Sequence, residues 1–167
     1  MPSNIEWKAP ARDFERLQQL AGELAGAPPT LLEQIDTFFN VARGRLKLRR
    51  LGPDHGELIH YTRDNRPGPK QASYERAHTD QPDALRALLA RALGVRGEVR
   101  KSRWLYLCGQ TRIHLDEVEG LGRFLEVEVV LQPGQSPADG ERIAEEMRRR
   151  LGVAAEDLLA VAYVDLL

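Results

Sequence analysis

The sequence predicts an α+β fold in which an antiparallel β-sheet curls into a barrel and helices pack on its outer surface. Several short segments alternate charged and apolar residues with period two, the pattern of a strand whose two faces meet different surroundings. Three other segments place apolar residues at helical spacing. About eight strands and three helices result, and the turns between strands are short enough to favour antiparallel neighbours.

The first half of the chain places one helix among a run of strands. A strand at 4–9 precedes a helix over 11–25, whose apolar stripe ends before Gly26 and Pro28. A Pro- and Gly-rich loop is predicted at 65–70. Further strands, bounded by turn-forming residues, are predicted at 31–39, 45–51, 56–63 and 71–79.

The second half contains the other two helices. The segment 81–94 predicts a helix with Pro82 in its first turn. The segment 136–152 predicts another, which Ser136 opens and Gly152 ends. The apolar tail that follows is expected to dock on the core. Between these helices, strands are predicted at 95–107, 110–118 and 123–131.

Length and composition indicate a single domain over 1–167. The charges nearly balance, with 24 Lys and Arg against 25 Asp and Glu, which argues against a nucleic-acid partner. The single Cys108 excludes an internal disulfide. Neither a signal-peptide core nor a run near ~18 apolar residues is present, so no membrane partner is expected. A cytoplasmic protein, either a monomer or a homodimer, is the expectation.

The polar faces of the strands carry charges that sort by sign. One segment carries Arg45, Lys47 and Arg49, whereas another carries Glu126 and Glu128. Such faces could lie in water on edge strands, where charge protects against aggregation. Alternatively the sheet closes and the charges line its interior, which is tolerable because both signs are present. We expect the closed barrel, with an anion and a metal ion as its ligands.

Carboxylates on these faces are candidate ligands of a divalent cation. Glu6, Glu126 and Glu128 offer hard oxygen donors, and Asp116 could join them. Carboxylates at i and i+2 of one strand lie side by side, about 6.5–7 Å apart. Oxygen donors suit Mg²⁺ or Mn²⁺, which also bind substrate phosphates. The four histidines are too few for a zinc site, and only His114 shares the register of a charged strand.

Cations on the same faces are candidate ligands of a polyanion. Eight Lys and Arg side chains face the four carboxylates, a surplus close to the charge of an ionised triphosphate. Arginine suits bidentate phosphate contacts, and lysine supplies a point charge. Since the sequence has no glycine-rich phosphate loop, side chains would make these contacts. The eight cations are Lys8, Arg45, Lys47, Arg49, Arg63, Lys101, Arg103 and Arg112.

Together these segments resemble the CYTH superfamily. The resemblance is carried by IEWK, by DTFF followed by GRLKLR, by VRKSRWLY and by IHLDEVEGLGRFLEVE, and it extends to the terminal YVDLL. The chain is most similar to the class IV adenylate cyclase (CyaB-like) group, and the superfamily also contains thiamine and inorganic triphosphatases. The resemblance implies an eight-stranded antiparallel triphosphate tunnel, in which carboxylates hold one or two divalent metals and basic residues bind the triphosphate.

The motifs assign roles residue by residue. Glu6 and Lys8 match the last two members of the N-terminal ExExK signature and are the candidate catalytic residues. Asn4 stands where that signature has its first Glu, and it brings a carbonyl without a charge, so one metal site should be weaker. Arg63, Arg112 and Asp116 match less distinctive positions. The family's basic pairs and distal metal pair correspond to Lys47 and Arg49, Lys101 and Arg103, and Glu126 and Glu128.

Three functions remain open at this point. The first is a class IV adenylate cyclase that converts ATP to cyclic AMP and pyrophosphate. The second is an inorganic, thiamine or nucleoside triphosphatase, and the third is a non-catalytic module that binds triphosphate or polyphosphate because Asn4 has disabled a metal site. Both reactions depend on positioning and charge neutralisation. The cyclase would also need an adenine pocket, which the sequence does not mark.

Overall fold

In the computed structural model, which describes residues 2–64 and 66–167, eight antiparallel strands close into a barrel. The strands are β1 (Ser3–Pro10), β2 (Thr30–Phe39), β3 (Arg45–Gly52), β4 (His55–Arg63), β5 (Lys70–Thr79), β6 (Val95–Cys108), β7 (Thr111–Val118) and β8 (Gly122–Val130). The helices are α1 (Phe14–Ala25), α2 (Pro82–Leu93) and α3 (Pro137–Arg150). The predicted closed barrel with three helices is confirmed. Among the described residues, none of the helices has the length and apolar character needed to cross a membrane.

The strand order only partly follows the antiparallel pairing of consecutive strands that the short turns predict. Around the barrel the order is β1-β5-β4-β3-β2-β6-β7-β8, so β2 to β5 and β6 to β8 pair consecutively. However, β1 lies between β5 and β8, and β2 pairs with β6. Both interruptions fall where α1 or α2 carries the chain to a distant strand. As a result, the charged residues of β1 lie beside the charged residues of β8. The predicted loop 65–70 begins at Asn65, which lies outside the described residues, and Lys70 already belongs to β5.

The helices cover the apolar outer face of part of the barrel. Helix α3 packs on β1 and β8, and α1 packs on β6 and β7. Asp13 caps α1 by accepting a hydrogen bond from the backbone N–H of Arg16, and Ser136 forms a capping box with Asp139 at the start of α3. The buried outer residues include Ile5, Trp7, Ile113, Leu115, Leu125 and Val127. Because strand side chains alternate, their neighbours in sequence must face the interior.

The C-terminal tail docks against one end of the barrel, as the sequence predicted. Tyr163 and Val164 pack with inward-facing apolar side chains of β2, β6, β7 and β8. The buried Lys70 Nζ donates hydrogen bonds to the carbonyls of Arg66, Leu159 and Ala160 at 2.8–3.1 Å. These bonds fix the tail next to the strands, and they place the Tyr163 ring inside the barrel.

Two helical glycines allow a test of how closely α1 and α3 approach the sheet. A Cβ on Gly140 would lie 2.5 Å from Ile5 Cγ1 and 2.6 Å from Leu131 Cδ2, whereas one on Gly22 would meet Tyr106 at 3.9 Å. We expect Gly140→Ala to lower the free energy of unfolding by about 1–3 kcal/mol through overpacking. Gly22→Ala, the matched control, should raise it by about 0.5–1 kcal/mol through helix propensity. Urea unfolding of both variants checks this, and stabilisation by Gly140→Ala would contradict the close packing of α3.

Candidate active site in the barrel interior

A cavity of about 280 Å³ lies inside the barrel and brings the charged strand faces together. Glu6 pairs across the β1–β8 ladder with Glu128, and Lys8 pairs with Glu126. Both pairs follow from the antiparallel register, since alternate residues of each strand point inward. Ten of the predicted site residues line this cavity: Glu6, Lys8, Lys47, Arg49, Arg63, Lys101, Arg103, Arg112, Glu126 and Glu128.

A compact group of metal-ligating side chains lies on β7 and β8. It consists of His114, Glu126 and Glu128, whose ligand atoms all lie within 4.8 Å of one another. His114 Nδ1 is 3.3 Å from Glu126 Oε1 and 3.5 Å from Glu128 Oε1. The β7–β8 register, which sets His114 opposite Glu126, creates this proximity. His114 was not predicted as a ligand, because its shared register with Arg112 and Asp116 was the only sequence signal.

The carboxylates of Glu6, Glu126 and Glu128 repel one another. Burial raises the pKa of Glu128, and the charges of Glu126 and Glu6 raise it further. Burial and Glu126 likewise raise the pKa of Glu6, although Arg63 Nη1 donates a hydrogen bond to Glu6 Oε1 at 3.2 Å. A divalent cation would relieve this repulsion, so the donor set fits such an ion.

Lys8 joins the carboxylates to the cationic part of the interior. Its Nζ is 3.4 Å from Glu126 Oε2 and 3.8 Å from the centroid of the Tyr163 ring. Burial alone would raise the pKa of Glu126, but Lys8, together with His114 and Arg103, holds that pKa well below its usual range. The protein therefore favours the ionised form of Glu126.

Asp36 organises the cations on the other side of the cavity. Arg49 donates to both carboxylate oxygens at 2.8 Å, while Lys101 Nζ and Lys47 Nζ lie 2.9 and 3.3 Å from Oδ2. Burial would raise the pKa of Asp36, but these three cations hold it well below its usual range. Asp36 was missed because it lies in the apolar segment DTFF, where its inward neighbour is Phe38.

The two lysines beside Asp36 have pKa values lowered toward neutral pH. Burial, followed by the nearby Arg49, lowers the pKa of Lys47 to about 8. Burial also lowers the pKa of Lys101 to about 7, with Arg103 and Arg49 adding to the effect against the attraction of Asp36. An anion bound among these groups would raise both values, since it favours the charged ammonium.

Asp116, predicted as a metal ligand, does not line the cavity. Its carboxylate accepts hydrogen bonds from Arg103 Nε and Nη2, each at 2.8 Å, and from the Tyr163 hydroxyl at 2.8 Å. Although burial opposes ionisation, Arg103 lowers the pKa of Asp116 to about 2. Both oxygens are engaged by cross-strand and tail partners, so Asp116 orients Arg103 instead of joining the carboxylate group.

Arg45, predicted as a phosphate ligand, also lies away from the cavity. Its guanidinium pairs with Asp165 of the C-terminal tail, with nitrogen–oxygen distances of 3.2 and 2.7 Å. The alternation with Lys47 and Arg49 places Arg45 on the inner side of β3. However, at the strand end it meets the docked tail, a contact that strand periodicity cannot reveal.

Several buried N–H groups facing the interior have no acceptor among residues 2–64 and 66–167. They are Arg63 Nε, Arg63 Nη2 and Arg112 Nε. A buried donor without an acceptor is costly, and one from a charged group more so. These donors face the same cavity as the carboxylates and are candidate ligands of an anion.

Asn4 lies beside the metal-ligating group. Its Nδ2 donates a hydrogen bond to Glu128 Oε2 at 3.2 Å, and its Oδ1 is buried with no donor in the part of the chain that the structure describes. The position where the ExExK signature has its first Glu thus contacts a carboxylate of the site.

The cavity lining also contains apolar and aromatic side chains. Burial raises the pKa of Tyr61 to about 12, so its hydroxyl stays protonated at neutral pH. Apart from Asn4, the described lining residues include no amide and no aliphatic hydroxyl side chain. These apolar and aromatic side chains include Phe38, Ile59, Tyr61, Ala72, Tyr74 and Val99.

Solved structures show the same fold. The PH1012 protein from Pyrococcus horikoshii OT3 is 25% identical, with a TM-score of 0.85, 98% of this chain covered and 99% of that one. A candidate adenylate cyclase from Vibrio parahaemolyticus is 16% identical, with a TM-score of 0.78 and 98% and 96% covered. HpAC1 from Hippeastrum, a candidate adenylyl cyclase with a dominant triphosphatase activity, is 15% identical, with a TM-score of 0.63 and 97% and 91% covered.

Among sequences, a search of curated proteins gives no match. The CYTH domain family, by contrast, matches residues 3–163, nearly the whole chain. This match agrees with the closed eight-stranded barrel and with the charged interior described above. The chain belongs to the CYTH domain family.

Proposed function

We propose that this chain is a divalent-metal-dependent phosphoryl-transfer enzyme that acts on a triphosphate inside the barrel. The observation that carries the proposal is the division of one cavity into a carboxylate side and a cationic side, which Lys8 joins. Eight Lys and Arg side chains line the cavity against five carboxylates. A surplus of positive charge that includes buried, unpaired N–H groups suits a polyanion.

The proposed roles of the residues follow from their positions. Glu126 and Glu128 would hold the cation, with Glu6 opposite Glu128 on the neighbouring strand. When bound, a divalent cation would polarise a phosphate and activate the attacking hydroxyl or water. Lys8, 3.4 Å from Glu126, would neutralise charge on the reacting phosphate. The remaining phosphates would be bound by Lys47, Arg49, Arg63, Lys101, Arg103 and Arg112.

Cyclisation of ATP is the first candidate reaction. The ribose 3′-hydroxyl would attack the α-phosphorus and lose its proton, the bond from that phosphorus to the bridging oxygen would break, and pyrophosphate would leave. The aromatic side chains in the lining support this candidate, since Tyr61 and Tyr74 offer an organic substituent apolar surface in the same cavity as the cationic groups. The candidate cyclase from Vibrio parahaemolyticus shares the fold.

Hydrolysis of the terminal phosphate is the second candidate, and a specific observation favours it. An amide side chain can pair with both hydrogen-bonding groups of an adenine edge, yet Asn4 is the only amide among the described lining residues, and its Nδ2 is held by Glu128. A site without a free amide would discriminate weakly between triphosphates that carry different substituents. The Hippeastrum protein of the same fold has a dominant triphosphatase activity.

Product analysis tests the proposal and separates the two reactions. The wild-type protein would be incubated with ATP or tripolyphosphate and either Mg²⁺ or Mn²⁺. Cyclic AMP with pyrophosphate identifies a cyclase, and orthophosphate identifies a triphosphatase. No product from either substrate, together with tight binding of tripolyphosphate, would overturn the proposal in favour of a binding module.

Loss of one carboxylate of the site should remove the activity. We expect Glu126→Gln to lower kcat by ~10²–10³, because it removes a charged ligand of the proposed cation while keeping the shape of the side chain. The matched control is Glu141→Gln, which changes an exposed carboxylate of α3 on the outside of the molecule. Equal turnover of the two variants would contradict the assigned carboxylate site.

Binding of tripolyphosphate should be coupled to proton uptake at Lys101. At pH 8 this lysine is mostly neutral, since its pKa is about 7, and a bound anion raises the pKa so that Lys101 takes up a proton. Calorimetric titration without metal, in buffers of different ionisation enthalpy, gives the number of protons exchanged. Wild type should take up more protons than Lys101→Met. The difference between the two proteins also removes the contribution of protons that the ligand itself releases. Identical proton exchange would contradict a phosphate contact at Lys101.

A further inference from the structure

The spacing of His114 from both carboxylates matches that of neighbouring metal ligands. In a six-coordinate site with metal–ligand bonds of about 2.1–2.2 Å, adjacent donor atoms lie about 3 Å apart. His114 Nδ1 lies 3.3 Å from Glu126 Oε1 and 3.5 Å from Glu128 Oε1. One imidazole nitrogen and two carboxylate oxygens are therefore already gathered around a common point.

A purely structural role explains His114 less well. The contact with Glu126 is long for a hydrogen bond, and a single Nδ1–H cannot serve both carboxylates fully. The Nε2 atom is buried and has no partner among the described residues. Among the described residues, the ring nitrogens therefore contact only carboxylates, and they do so through Nδ1. The ring is held against two carboxylates that already repel each other, an arrangement to which a cation would add a stabilising partner.

Asn4 supplies a second, independent donor to the same group. It lies on β1 and His114 lies on β7, so the two flank Glu128 of β8 from opposite sides. While Asn4 Nδ2 binds Glu128, the buried Oδ1 has no donor in the described part of the chain. An amide carbonyl is an ordinary ligand of divalent cations. The unpaired acceptor thus points to a ligand rather than to a contact within the protein.

We propose that His114 and Asn4 complete the metal site, which becomes a mixed nitrogen and oxygen centre selective for Mn²⁺ over Mg²⁺. The proposal rests on the proposed function, because it refines the metal site that the function requires. Mg²⁺ strongly favours oxygen donors and gives up its water reluctantly, whereas Mn²⁺ and the later first-row ions accept imidazole. Imidazole nitrogen in the coordination sphere therefore shifts the preference toward Mn²⁺.

Metal titrations without substrate test the proposal. Binding of Mn²⁺ to the metal-free protein is followed by loss of the electron paramagnetic resonance signal of free Mn²⁺, and Mg²⁺ is measured by competition. We expect His114→Asn to weaken Mn²⁺ binding by about tenfold or more and Mg²⁺ binding by less than about twofold. Asn4→Ala, which removes an oxygen donor, should weaken both ions. His78→Asn, which changes an exposed histidine, should affect neither. Equal losses of both ions in His114→Asn, or no loss, would overturn the proposal.

A second measurement on the wild-type protein covers the case in which His114→Asn fails to fold. Electron spin-echo modulation of the Mn²⁺-loaded protein should show ¹⁴N coupling from a directly bound imidazole, and its absence would overturn the proposal. Neither measurement uses a triphosphate, so the two hypotheses fail separately. Nitrogen coupling without turnover would refute the proposed function alone, and turnover without nitrogen coupling would refute the mixed-ligand site alone.

Discussion

Burial of ionised side chains inside a closed barrel is the constraint on which the rest of the structure depends. A buried charge without a counter-charge would cost several kcal/mol. In the interior this constraint is met by ion pairs between strands. Asp36 forms ion pairs with Arg49, Lys47 and Lys101, and Asp116 forms one with Arg103. Each of these carboxylates is nearly inaccessible to solvent. The pairs hold the cations in fixed positions, so the barrel can present positive charge to a ligand without collapsing around it.

The C-terminal tail takes part in this arrangement. The Tyr163 hydroxyl donates a hydrogen bond to Asp116, and the Tyr163 ring contacts the Lys8 ammonium. One tail residue therefore contacts both the buried Arg103–Asp116 pair and the lysine beside Glu126. Asp165 pairs with Arg45 at the end of β3. These contacts account for the mixed composition of the tail: Ala162, Tyr163 and Val164 pack in the barrel end, and the Asp165 carboxylate pairs with Arg45.

Sequence periodicity was sufficient to predict the strands, the helices and the inward direction of most charged residues. Alternation and helical spacing are local properties that a single segment reveals. Periodicity was insufficient to predict which side chains become partners when the barrel closes. Asp36 is hidden in DTFF, and its role depends on lysines and an arginine from β3 and β6. Asp116 and Arg45 have the expected strand register, but Arg103 and the tail engage them. Likewise, the importance of His114 depends on the β7–β8 register, which no single strand encodes.

Charge is incompletely compensated on both sides of the cavity. Negative charge is in excess on one side, and positive charge is in excess on the other. On one side, Glu6 and Glu128 have raised pKa values, so the protein disfavours their negative charge. On the other, Lys47 and Lys101 have lowered pKa values, so it disfavours positive charge there. A cation among the carboxylates and a polyanion among the lysines would each correct one imbalance and would also attract each other across Lys8. By linkage, each ligand must then strengthen the binding of the other by the same factor. The arrangement of charge thus favours a metal–polyanion complex over either component alone.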